Sequence, residues 1–204
     1  MKIMTKNGSN TSIRYDQTKR VIDSFLLDLR QQGDLKWNLE TCNVCASCCA
    51  IEAVGAKFKC TLPKIDNQTF ISQADLMFDF IYKSKNTPVR QDKLCENEVP
   101  ANLEFAINKM STAKAKLKQF SSVNEFITSL QKDLNSKKAI VLSYLTDYGT
   151  GHFICLVGID NNTVFAYDSW SDNKHCRKGG KLEEYDLLFF KERCKERLRY
   201  ISVE

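Results

Sequence analysis

Apolar positions over the first two-thirds of the chain recur at helical spacing, whereas over the last third they gather into short β-rich runs. The first dozen residues are rich in Lys, Asn, Ser and Thr and predict a disordered start. Tyr15, Ile22, Phe25, Leu26 and Leu29 then fall on one helical face within 15–31, and Gly33 ends that element. A polar loop over 34–41 leads into four crowded cysteines, Cys42, Cys45, Cys48 and Cys49. Ser47 reads as the N-cap of a short apolar helix through Ala50, Ile51 and Val54, with Cys48 in its first turn. Leu76, Met77, Phe80 and Ile81 give a second amphipathic helix over 72–83. Pro88 and Pro100 bracket a polar connection that contains Cys95. Residues 101–110 predict a helix, and Ser122-Val-Asn-Glu125 is a capping box that opens another through Leu134.

Beyond that point the period changes from 3.6 to 2. Residues 139–145, 152–159, 164–168 and 197–203 read as strands separated by Gly, Asp and Asn. Helices first and strands later predict an α+β protein, a helical lobe over about 15–135 against a sheet lobe over about 136–204, in one domain after a disordered 1–14. The hairpin arithmetic places two polar residues together. If Asp160-Asn161-Asn162 form the loop, Ile159 faces Thr163 and paired numbers sum to 322. His152 and Asp168 then share a face as diagonal neighbours, about 7–8 Å apart at the backbone. A register one residue different would separate them onto opposite faces.

Composition adds bounds. The 204 residues are 43% hydrophobic and 27% charged, as in ordinary globular proteins. No apolar run nears the roughly 20 residues that span a bilayer, and the N-terminus lacks the apolar segment of a secretory signal. We therefore expect a soluble protein, cytoplasmic or exported without a cleavable signal. The net charge of +5 is scattered, and the densest basic stretch, 109–118, reads as a solvated face rather than a nucleic-acid surface. Nine cysteines is a high, odd count, and in a reducing compartment buried Cys acts as a small hydrophobe.

Thiol catalysis needs a sulfur that ionises near neutral pH, an imidazole to exchange its proton, and a polar group to hold the imidazole. The chain has two histidines. His175 sits in a polar loop-like stretch, and His152 opens a strand directly after a Gly-containing turn. The plain alternative, a strand-end histidine beside a strand-end aspartate, does not explain the cysteine cluster.

Several segments resemble the papain family of cysteine peptidases. Cys45-Ala-Ser-Cys-Cys-Ala-Ile-Glu-Ala-Val-Gly-Ala56 looks like that family's active-site helix, Gly151-His-Phe-Ile-Cys-Leu-Val-Gly158 like its histidine strand, and Tyr167-Asp-Ser-Trp170 like its Asn-Ser-Trp motif. Ile71-Ser-Gln-Ala-Asp-Leu-Met and the Cys95-to-Pro100 segment match more weakly. The resemblance implies a papain-like α+β fold and a catalytic set of Cys48, His152 and Asp168, with Asp168 orienting the imidazole and Trp170 shielding their bond. The family's oxyanion glutamine would fall on Cys42, so Asn43 is the expected oxyanion-hole donor, followed by Asn38. Asp168 stands where the family has Asn, and Cys49 where it has an aromatic. The compact middle also resembles the related peptidase domains of bacteriocin exporters and phage tail proteins, whose nucleophile lies thirteen residues before a helix-ending glycine. Counted from Gly55 that residue is Cys42. Cys48 is favoured, with Cys42 second and Cys45 third. Cys45 and Cys95 align with a pair that is disulfide-bonded in secreted relatives.

The implied reaction is amide hydrolysis through a thioester, on a peptide or protein substrate, by a monomer that needs no cofactor or metal and binds neither nucleic acid nor membrane. Three alternatives stay open: a zinc or iron–sulfur site built on Cys42-x-x-Cys45-x-x-Cys48, an inactive papain-like binding module, and a deamidase or acyltransferase with the same catalytic groups. A bacterial effector acting in another cell's cytosol would suit reduced cysteines without a signal.

Overall fold

In the computed structural model the described residues are 42–59, 99–147, 149–168 and 181–204. The expected helices at 15–31 and 72–83, the disordered N-terminus, the connection around Cys95, and Asn38, Cys60, Trp170, His175 and Cys176 lie outside them.

An antiparallel six-stranded sheet organises the rest. Its strands are β1 (Ala115–Gln119), β2 (Ala139–Leu145), β3 (Gly151–Asp160), β4 (Thr163–Asp168), β5 (Lys181–Asp186) and β6 (Arg199–Val203), in the spatial order β1-β6-β2-β3-β4-β5. Among the described residues four helices accompany them: α1 (Cys42–Ala53), α2 (Val99–Met110), α3 (Val123–Asn135) and α4 (Leu187–Arg193). The α+β class expected from the sequence is the observed one.

Strand alternation splits the core between two faces. On one face, α1 and α2 bury Val44, Ile51, Leu103 and Ile107 against Val141, Cys155, Val157 and Ile201. On the other, α3 and α4 bury Phe126, Leu130 and Phe190 against Leu142, Tyr144, Ile154, Leu156 and Tyr200. Helix α1 is buried along its whole length, as its all-round apolar composition requires. It ends in a Schellman motif: Gly55 adopts φ 72°, its N–H donates to Glu52 O (2.9 Å), and Ala56 N–H donates to Ile51 O (3.0 Å). Helix α3 starts as its capping residues predict, with Ser122 Oγ accepting from Glu125 N–H. Glu125 Oε2 in return accepts from Ser121 N–H, one residue upstream of the expected partner.

Two elements differ from expectation. The basic stretch within 109–118 contains edge strand β1, paired with β6, so part of the sheet comes from the half assigned to helices. Lysines suit such an edge because they discourage further strand pairing. Helix α1 starts at Cys42, five residues before Ser47. Ser47 is no N-cap: its hydroxyl donates to Asn43 O (2.8 Å), the i−4 bond of a mid-helix serine. Cys48 is therefore in the body of the helix, and Cys42 is in its first turn.

Candidate active site

His152 is the second residue of β3, placed by a tight turn from β2. Thr146 N–H donates to Thr150 O (2.9 Å), Gly149 N–H donates to Thr146 O (3.0 Å), and Gly149 takes φ 73°, which glycine adopts without penalty. Directly across, Tyr144 of β2 pairs with His152, and its ring stands edge-on to the imidazole at 5.6 Å.

Asp168 ends β4. Near the turn the register of β3 with β4 is one off the expected sum: Asp160 faces Thr163 and Ile159 faces Val164 around a two-residue loop, with Asn161 at φ 55°. A β-bulge between Leu156 and Gly158 then inserts one residue, so Leu156 faces Ala166 and Cys155 faces Tyr167. The bulge restores the sum of 322 where it matters. His152 and Asp168 share a face, and His152 Nε2–H donates to Asp168 Oδ1 at 2.7 Å. Both side chains are buried, the carboxylate with 1% exposure.

The second oxygen of Asp168 accepts from Tyr185 OH of β5 (2.6 Å). Tyr185 is in turn hydrogen-bonded to Tyr144. Burial, joined by the charge of Asp168, pushes both phenols far up, so they stay protonated.

Cys42 lies beside the same imidazole, close enough to act on it by hydrogen bonding and by charge. Burial opposes the imidazolium, but the hydrogen bonds to Asp168 and Cys42, with their charges, outweigh it and raise the His152 pKa to about 10. Cys42 comes from the helix on one face of the sheet, whereas His152 and Asp168 belong to the strands' opposite face; they meet where β3 begins and α1 starts.

The sulfur brought to His152 is thus Cys42, the second choice from sequence. Cys48 lies six residues on, about 9 Å along the helix axis and turned by about 240°, and is fully buried. Cys45 and Cys49 are buried along the same helix, and Cys49 lies close enough to Cys155 that its charge, after burial, pushes the Cys155 thiol up. Asn43 is buried beside Cys42, with Oδ1 accepting from Val44 N–H (2.8 Å). Cys95 lies outside the described residues, and the Cys45–Cys95 pairing with it. Among the described residues no three Cys, His, Asp or Glu converge on a metal-sized space, and no helix is long and apolar enough to cross a membrane. Tyr144 and Tyr185 carried no recognisable signal; only the β2–β3 register would have put Tyr144 opposite His152.

The chain is a papain-like cysteine peptidase. Residues 29–195 match the Peptidase_C39 like family, and the chain belongs to it. Among solved structures, the crystal structure of Pseudomonas avirulence protein AvrPphB matches at a TM-score of 0.33 and 10% identity, covering 64% of this chain and 69% of that one. No curated protein matches the chain.

Proposed function

We propose that Cys42 is the nucleophile, His152 the general acid and base, and Asp168 the carboxylate that orients the imidazole, in hydrolysis of an amide bond of a peptide or protein. The observation that carries this reading is His152 bonded to Asp168 (2.7 Å) with Cys42 beside the same ring. Cys42 stands in the first turn of α1, beside the imidazole that exchanges its proton.

The thiolate attacks the carbonyl carbon and forms a C–S bond while the C=O electron pair moves onto oxygen. That oxyanion meets the Cys42 backbone N–H, one of the four donors a helix start leaves unbonded. Asn43, the side-chain donor expected from sequence, follows it directly; its Oδ1 accepts from Val44 N–H, so any donation to the oxyanion is through Nδ2. As the tetrahedral centre collapses, the C–N bond breaks and His152 gives its proton to the departing amine. Neutral His152 then removes a proton from water, the hydroxide adds to the thioester, and the acid leaves as Cys42 regains its starting state.

Brief, substoichiometric iodoacetamide treatment at neutral pH, read by mass spectrometry, tests this assignment. Label at Cys42 that disappears in His152→Ala supports it. Label at Cys48 instead, or spread evenly over the cysteines, overturns it.

A further inference from the structure

We propose that Tyr185 is a positioning residue for the catalytic imidazole, its hydroxyl fixing one oxygen of Asp168 so that the other is presented to His152. The inference rests on the Cys42–His152–Asp168 reading above and deepens it.

A buried carboxylate with one partner can rotate about its Cβ–Cγ bond and offer either oxygen. Asp168 is held at both ends: Oδ1 accepts from His152 Nε2–H (2.7 Å) and Oδ2 from Tyr185 OH (2.6 Å). A phenol has one proton, so with Tyr185 donating to Asp168 its oxygen is the acceptor for Tyr144 OH. The contacts run from Tyr144 through Tyr185, Asp168 and His152 to Cys42, and the carboxylate accepts from both neighbours, Tyr185 on one side and His152 on the other. The phenols are themselves held. The Tyr185 ring packs on Phe189 (5.1 Å) and Phe190 (5.5 Å) of α4, and Tyr144 meets Phe189 edge-on (5.1 Å). Asp186 caps α4 through Oδ1, which accepts from Leu188 N–H (2.8 Å), so the helix follows Tyr185 by a single residue.

The hydroxyl also tempers the carboxylate. A donor on Oδ2 stabilises the negative charge and weakens its pull on the imidazolium proton. That proton must leave during catalysis, and Asp168 and Cys42 already hold it tightly. The titratable groups that face the imidazole are Cys42 from α1, Tyr144 from β2, Asp168 from β4 and Tyr185 from β5. Arg193 of α4 acts on Tyr144, and the Arg197 guanidinium lies over Gly151.

Tyr185→Phe removes the hydroxyl and keeps the ring. The test is a 15N imidazole NMR titration of the full chain, which has two histidines that His175→Gln separates. The His152 midpoint should rise in Tyr185→Phe by about half a pH unit, and by less in Tyr144→Phe, which loosens the chain one link further out. A ring acting only as packing would leave the midpoint in place, so a wild-type midpoint in a folded Tyr185→Phe overturns the inference. Should that variant not fold, an unmoved midpoint in Tyr144→Phe overturns it. Iodoacetamide labelling of the wild-type chain runs alongside: labelling that avoids Cys42 defeats the proposed nucleophile, and the titration still decides the Tyr185 bond.

Discussion

Two buried carboxylates are built from the same parts and put to different uses. Asp168 is bonded to a basic side chain, His152, and to a tyrosine hydroxyl, Tyr185. Asp133 of α3 is bonded to Lys118 Nζ (2.7 Å) and to Tyr200 OH (2.9 Å), which also meets Ser129 Oγ (2.8 Å). The difference lies beyond the cation. Lys118 has three donors and no acceptor, so it can only pin β1 to α3. Imidazole has a second nitrogen that can pass a proton in either direction, and Cys42 lies beside the ring. The same carboxylate–cation–phenol cluster is thus a rivet in one place and, in the proposed mechanism, part of a reaction centre in the other.

The sharpest break between the two comes from the sulfur. Cys42→Ala should lower peptide cleavage, followed by mass spectrometry of a peptide mixture, by about a thousandfold or more. Cys48→Ala should retain turnover and lose only about 1–2 kcal/mol of stability to the small cavity it opens. Next come the carboxylates themselves. Asp168→Asn should cut turnover by about a hundredfold, whereas Asp133→Asn should leave turnover near wild type and cost roughly 1.5–3 kcal/mol in urea unfolding.

The two clusters should also fail at opposite ends of the pH scale. The His152 pKa is raised in the folded chain, so its contribution to stability is complete below the unfolded value near 6.5 and is lost as pH climbs through about 10. Asp133 is the reverse case. Burial pushes its pKa up, but hydrogen bonds from Lys118 and Tyr200 and the Lys118 charge overcome it, leaving the net value below the ordinary 3.8. Its contribution is present above that ordinary value and disappears as pH falls through the lowered one. Urea midpoints measured across the pH range should therefore drop on the alkaline side in a His152-dependent way and on the acid side in an Asp133-dependent way. The smallest effect separates the two phenols: Tyr200→Phe should cost about 1 kcal/mol while leaving the His152 titration unmoved.

Much of this was legible in the chain. Strand β2 has the bounds its alternation predicts, β3 and β4 gain only a residue at their ends, and the Ser122 capping box opens α3. His152 and Asp168 were paired by counting along a hairpin. The misses have identifiable causes. Ser47 is an N-cap type of residue, and nothing local distinguishes a capping serine from one that bonds back to Asn43 O inside a helix; that ambiguity moved the helix start and with it the preferred sulfur. Strand β1 was hidden because alternating lysines look alike on a solvated face and on a sheet edge. Strand β5 and helix α4 went unread although Gly179-Gly180 precede them, because Lys181-Leu-Glu-Glu-Tyr-Asp186 has only two apolar positions to mark a strand, and Tyr185 was missed with it.

The one-residue bulge between Leu156 and Gly158 works as a vernier. Val157 is the surplus residue there, since Leu156 faces Ala166 and Gly158 faces Phe165. Deleting Val157 takes up that slack and leaves both halves of the ribbon on their own sides, so the hairpin can change its length at this point while the site at its base keeps its alignment.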